Sequence, residues 1–149
     1  MKLTLFTDYS IRVLLFLGSR PERLCSIGEV AQAYRISQNH LMKVVNQLAR
    51  LGYVESVRGR AGGIRLGMAP EDINLGAVVR DTEEGLELAD CGGCVVASAC
   101  GVAGVLHEAM AAFLAVLDRY TLADMLTSRL KLRELLLTDE APRMPEPVP

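Results

Sequence analysis

Tryptophan is absent from this chain of 149 residues, and Phe and Tyr together contribute only seven. So few rings cannot form the row of stacking platforms that single-stranded nucleic acid requires. Long hydrophobic runs are also missing. The longest near the start, Val13 to Leu17, is far too short to cross a bilayer, so no membrane partner is expected. The N-terminus has no charged segment followed by a long apolar stretch and a small-residue cleavage site, which predicts a cytoplasmic protein. There is no internal repeat. Net charge is small, −2 from 16 Lys+Arg against 18 Asp+Glu.

What is present is more specific. A hydrophobic content of 50% with 23% charged residues excludes wholesale disorder. The length suits one compact domain, or a small domain with an appendage. The small net charge hides a division. Residues 1–80 hold eleven basic against six acidic side chains, a surplus of +5. Residues 81–149 hold five against twelve, a deficit of −7. The first part is suited to a polyanion and the second to another task.

The first part has a clear order. Residues 8–18 read as a buried helix. Ser26-Ile27-Gly28-Glu29 has the form of a capping box and opens a short helix to about Tyr34. Ser37 is an N-cap for a second helix that Gly52 ends, and Ile36, Leu41, Val44, Val45 and Leu48 lie along one face. Two helices joined by a tight link make a helix-turn-helix. Tyr53–Val57 and Ile64–Leu66 then alternate as strands around the turn Arg58-Gly59-Arg60-Ala61-Gly62-Gly63. A helix-turn-helix followed by a basic hairpin is a winged helix. Ser37, Gln38, Asn39, His40 and Lys43 occupy the polar start of the second helix. Asn and Gln suit adenine edges, and Ser, His and Lys suit phosphates or bases. Any two-helix corner exposes polar residues, so the wing weighs more. Arg58 and Arg60 at its tip, with Arg65 behind, repel one another unless an anion sits there. Double-stranded DNA is the expected partner.

Beyond Pro70 a helix is expected from Ile73 to about Glu84. The stretch Cys91-Gly92-Gly93-Cys94-Val95-Val96-Ala97-Ser98-Ala99-Cys100 follows. Four cysteines would allow two disulfides, but three within ten residues better fit a metal or cluster loop in a reducing cytosol. The spacing leaves three chemistries open. An iron–sulfur site would use Gly92 and Gly93 to curl the backbone round a cluster. A zinc site would take His107 as its fourth ligand. A dithiol redox motif needs a βαβ context that the sequence lacks. Cys25 reads most simply as a small buried residue, and Asp8 as the i,i+4 partner of Arg12. From Gly101 the residues Val102, Leu106, Ala109, Phe113, Val116 and Tyr120 keep a heptad-like spacing, a seam that wants a second copy of the same helix. Thr121 and Asp124 cap a last helix to about Leu137.

The expected fold class is therefore mainly α with a small β-hairpin wing. A winged helix-turn-helix DNA-binding domain spans 1–80. A cysteine loop and dimerisation helices span 81–137, and a disordered Pro-rich tail spans 138–149.

Leu3-Thr4-Leu5-Phe6-Thr7-Asp8-Tyr9, the run Asn39 to Leu48, the wing Val57 to Gly67 and the three-cysteine loop also carry a likeness. Over residues 1 to about 137 the chain resembles the NsrR/IscR family of winged-helix iron–sulfur repressors. Thr7-Asp8-Tyr9 and Asn39 to Leu48 resemble its nitric-oxide-sensing branch. The resemblance implies a homodimeric repressor, not an enzyme, on a palindromic operator. It implies that Cys91, Cys94 and Cys100 ligate an iron–sulfur cluster, [4Fe–4S] in preference to [2Fe–2S]. Asp8 of the other subunit would complete the ligand set, with nitric oxide as the signal. The family's cluster-assembly regulators use a His three residues after the last Cys, and here that position is Ala103. The first two cysteines are also closer in sequence than in the nitric-oxide sensors. An iron-responsive repressor of the same family, whose wing and Thr82-Glu83-Glu84 region match, is the alternative. A zinc-stabilised winged helix is the second alternative.

Overall fold

The computed structural model describes residues 1–137, so the expected Pro-rich tail, 138–149, lies outside the described residues. The chain begins with α1 (Leu5–Gly18). This helix starts three residues before the expected 8–18, because Thr4 caps it. The Thr4 hydroxyl accepts from the Thr7 amide at 3.3 Å. Its buried face carries Thr7, Ser10, Val13, Leu14, Phe16 and Leu17.

Helix α2 (Ile27–Tyr34) opens on the predicted capping box. The Glu29 amide donates to Ser26 Oγ at 3.1 Å, and the Ser26 amide donates to Glu29 Oε2 at 2.6 Å. The helix closes as a Schellman motif. The Ile36 amide donates to Ala31 O at 3.0 Å and the Arg35 amide to Gln32 O at 3.3 Å. Helix α3 (Gln38–Arg50) then lays Leu41, Val44, Val45 and Leu48 into the core.

The wing pairs β1 (Val54–Val57) with β2 (Gly63–Leu66) in antiparallel register, Val54 opposite Leu66 and Val57 opposite Gly63. A further rung ties the hairpin to the chain before α2. The Cys25 amide donates to Ile64 O at 2.9 Å, and the Ile64 amide to Cys25 O at 2.7 Å. Cys25 is buried in this rung, as its apolar reading predicts. Gly63 permits the approach, because a Cβ there would run into the Cys25 carbonyl.

A 3-10 turn (Pro70–Asp72) precedes α4 (Leu75–Thr82). This helix is shorter than the expected Ile73 to Glu84. Asn74 fixes its start by accepting the Ala77 amide at 3.0 Å, and Glu83 leaves it in an extended conformation. Residues 83–101 contain no regular helix or strand. Helix α5 (Val102–Leu117) follows, and then the expected last helix divides into α6 (Leu122–Met125) and α7 (Arg129–Leu137). The Thr121–Asp124 capping box forms as predicted, but the helix it opens ends after one turn.

The core does not stop at residue 80. Leu122 and Leu126 join Val13, Leu14, Val30, Leu41, Val44, Leu48, Ile73 and Val78 in one apolar cluster. Backbone bonds hold the two segments together: the Leu75 amide donates to Tyr120 O at 3.0 Å and the Leu122 amide to Ile73 O at 2.8 Å. Arg80 forks onto Asp118 at 2.6 and 2.8 Å and pins α4 to the end of α5. Among the described residues, no helix is long and apolar enough to cross a membrane.

Candidate functional site

Two surfaces carry the predicted chemistry. The first is the start of α3 with the wing. Ser37, Gln38, Asn39, His40 and Lys43 are all exposed. Ser37 sits at the cap position, but its hydroxyl bonds to no amide of the first turn and stays available. That turn contains no acid, so the positive end of the helix dipole is unopposed and favours an anion. His40 is stacked on Tyr9 of α1 with ring centroids 6.5 Å apart. The exposed face also holds Met42 and Asn46, which the sequence reading did not select. They lie three and seven residues after Asn39, on the same side of the helix. The helical spacing was the signal for them.

The wing tip is a close turn. Gly59 lies at φ 105°, and the Gly62 amide donates to Gly59 O at 3.0 Å. A Cβ on Gly62 would collide with the Val57 carbonyl. Arg58 and Arg60 extend from this tip, exposed and without an ion pair to any described residue. Arg65 differs. Its Nε donates to Glu55 on the facing strand at 2.9 Å, which holds the Glu55 carboxyl below the usual glutamate range.

The second surface is the cysteine loop. Cys94 and its neighbours from Gly92 to Ala99 are exposed, and Val95 is 99% exposed, while Cys91 and Cys100 are half-buried. All four cysteines are free thiols. The loop is a run of turns. The Cys94 amide donates to Cys91 O at 3.4 Å, Ala97 to Cys94 O at 3.1 Å and Cys100 to Val96 O at 2.9 Å. Among the described residues, no three His, Cys, Asp or Glu side chains are gathered closely enough to hold a metal ion. Three thiolates nonetheless fit an iron–sulfur cluster by donor chemistry, since such clusters are held by cysteine thiolates. Beside Cys91 opens a cleft of about 180 Å³, walled by Leu86, Leu88, Leu106 and Met110, with His107 on its lining.

Asp8 is not brought to the loop within one chain. Its carboxylate pairs with Arg12 at 2.8 Å, as the i,i+4 reading predicts. Arg12 in turn lies 5.7 Å over the Tyr34 ring of α2. The start of α1 is joined to the start of the loop in another way. The Thr4 amide and hydroxyl donate to Glu83 Oε1 at 2.7 and 3.0 Å. Behind them the buried hydroxyls of Thr7 and Thr82 are hydrogen bonded at 2.9 Å.

Helix α5 presents two faces. Leu106, Met110, Phe113 and Leu117 are half-buried against their own chain. Val102, Val105, Ala109, Ala112 and Val116 are exposed at heptad spacing, and no residue of the helix is fully buried. The single seam expected from the sequence is thus split. Leu106 and Phe113 turn inward, and Val105 and Ala112 take their place on the open stripe.

Comparison with known proteins agrees with this arrangement. The sequence model of the Rrf2 family, described as iron-dependent transcriptional regulators, matches residues 3–128. The HTH-type transcriptional regulator NsrR of Bacillus subtilis (strain 168) is 52% identical over 146 residues, covering 94% of this chain and 100% of that protein. Among solved structures, T. potens IscR matches with a TM-score of 0.73 at 26% identity, over 89% of this chain and 91% of that one. CymR (YrzC), the global cysteine regulator of B. subtilis, matches with a TM-score of 0.69 at 25% identity, over 86% and 98% of the two chains.

Proposed function

Since the chain belongs to the Rrf2 family of iron-dependent transcriptional regulators, we propose that it is a homodimeric repressor governed by an iron–sulfur cluster. It is a DNA-binding regulator and not an enzyme. The signal we assign is nitric oxide, and DNA is released when nitric oxide attacks or removes the cluster. Cys91, Cys94 and Cys100 would hold the cluster, [4Fe–4S] in preference to [2Fe–2S], with Asp8 of the partner subunit as the remaining ligand. Residues 1–80 would bind a palindromic operator in the cytoplasm through Ser37, Gln38, Asn39, His40, Lys43, Arg58, Arg60 and Arg65. Residues 81–137 would carry the cluster and the dimer contact.

The observation that carries this reading is a loop of three reduced cysteines lying between α4 and the exposed apolar stripe of α5. A second copy laid along that stripe brings in the ligand that the loop's own chain does not supply. When bound, the cluster supplies iron that takes up nitric oxide. A carboxylate is a harder ligand than a thiolate, so Asp8 of the partner subunit would be the weakest of the four attachments. Within its own chain Asp8 has an alternative partner, Arg12, and that pair touches Tyr34 of α2. Helix α1 is therefore the switch element. It packs on α3, so a change in what holds Asp8 would act on the recognition helix. Dimeric helix-turn-helix proteins need their two recognition helices at a fixed spacing, and a small shift in that spacing costs affinity. The cleft beside Cys91, lined by polar as well as apolar side chains, leaves that end of the loop open to a small molecule.

The test is a visible spectrum of protein purified without oxygen, titrated with nitric oxide while operator binding is followed. Coloured protein that bleaches and releases DNA together is the expected result. Colourless protein with stoichiometric zinc would overturn it. The family's description as iron-dependent favours one second reading, a repressor that follows iron supply. In that case DNA release would track iron depletion and leave nitric oxide without effect.

A further inference from the structure

Helix α3 sorts its side chains by direction. Leu41, Val44, Val45 and Leu48 enter the core, and no acid occurs between Gln38 and Arg50. One flank of the exposed side is turned towards the rest of the chain. His40 is stacked on Tyr9 of α1, and Lys43 and Gln47 border a cleft shared with Thr4, Phe6 and Asp81. On the opposite flank the Gln38 carboxamide lies close to Gly28 of α2. Between the flanks run Asn39, Met42 and Asn46, all exposed. Residues three and four apart are neighbours on a helix, so Met42 stands beside both amides.

Met42 is the anomaly in this strip. It is a large apolar side chain, 46% exposed, set among carboxamides and a cation. A single exposed apolar residue is ordinary on a protein surface. This one occupies the second turn of the helix that a winged-helix regulator lays in the major groove, where the first residues of a recognition helix meet base edges. A thioether has no charge and no donor to offer a phosphate. The groove floor does present one apolar group, the C5-methyl of thymine. The flanking Asn39 and Asn46 are of the type that pairs with adenine edges, so the strip as a whole has the chemistry of A·T pairs.

We propose that Met42 is a specificity-determining residue that reads the C5-methyl of one thymine in each half-site of the operator. This rests on α3 being the recognition helix. The unbranched, flexible thioether can lie along the methyl group. Covering one such group is worth about fourfold in affinity. A cytosine at the same place would set an amino donor against Met42 and be rejected.

The operator is obtained by in vitro selection of random duplexes with the full-length protein, purified without oxygen. Thymines of one half-site are then replaced singly by deoxyuridine, which removes the methyl and keeps the hydrogen-bonding edge. One replacement should weaken wild-type binding about fourfold. Met42→Ala, having lost the contact in both half-sites, should bind the parent operator about tenfold more weakly and be indifferent to that same replacement. Its Tm and its salt slope should match the wild type, because the residue is exposed and uncharged. An operator in which no thymine methyl matters, or a Met42→Ala variant as sensitive as the wild type to every replacement, overturns the proposal. Asn39→Ala separates that failure from a failure of the recognition-helix assignment. Weakened operator binding by Asn39→Ala keeps α3 in the groove and discards Met42 alone. Unchanged binding by both variants discards both.

Discussion

Asp8 and Arg12 form an i,i+4 pair on the accessible side of α1, with 38% and 16% of their side chains exposed. Such a pair contributes about 0.3–0.5 kcal/mol. Asp8→Ala should therefore shift the urea midpoint very little. If Asp8 of the partner subunit is a cluster ligand, the same variant should keep its colour, held by the three cysteines, yet release DNA less sharply when nitric oxide is added. An unchanged response would remove Asp8 from the switch. Gly76 is sensitive for a different reason. It faces Asp118 so closely that any Cβ would overlap the carboxylate that Arg80 grips. Gly76→Val should part α4 from α5 and destabilise the fold by about 1–3 kcal/mol, read from urea unfolding. The Gly76 contact was not visible in the sequence. The Asp8–Arg12 pair was, because its spacing is local. The Gly76–Asp118 approach spans 42 positions and is a product of packing.

The same distinction between local and long-range signals holds for whole elements. The α2 capping box, the α3 stripe and the hairpin were legible because each is written within a few residues. Element ends were less so. Thr4 extends α1 beyond its apolar pattern, Asn74 delays α4, and the helix opened by Thr121 stops after one turn. The bonds from Thr4 to Glu83 and from Thr7 to Thr82 join positions 79 and 75 apart, and no periodicity announces them. The wing separates its arginines in a way that composition does not. Arg58 and Arg60 at the tip make no ion pair to a described residue, whereas Arg65 is engaged by Glu55. Arg60→Ala should lower the salt slope of operator binding by about one. Arg65→Ala should lower it less, because part of its charge is already neutralised across the hairpin. Equal effects from the two variants would mean that DNA displaces Glu55 from Arg65.

For the whole molecule, the charge division acquires a physical layout. The +5 of residues 1–80 belongs to the winged helix, and a dimer would present about +10 to DNA. Helix α5 lies in the acidic remainder of the chain, and its outer stripe of Val102, Val105, Ala109, Ala112 and Val116 is exposed among the described residues. The small residues in that stripe allow two helix backbones to approach closely, and the heptad spacing suits a partner of the same kind. Ala112→Glu tests this directly. The position is exposed in the single chain, so the fold should be retained and the change acts only on a partner helix. A glutamate placed at the middle of the stripe in both copies sets like charges against each other in a desolvated seam. Sedimentation should then show a monomer. A monomer engages one half-site where the dimer engages two, so operator affinity should fall by about 10²-fold or more. Its salt slope should be close to half the wild-type value, because half as many phosphates are neutralised. The colour should persist, because the three cysteines of each chain would still hold the cluster, as in Asp8→Ala. A dimer that survives Ala112→Glu with its operator affinity intact would show that the subunits meet elsewhere, and the route from cluster to recognition helix would have to be redrawn.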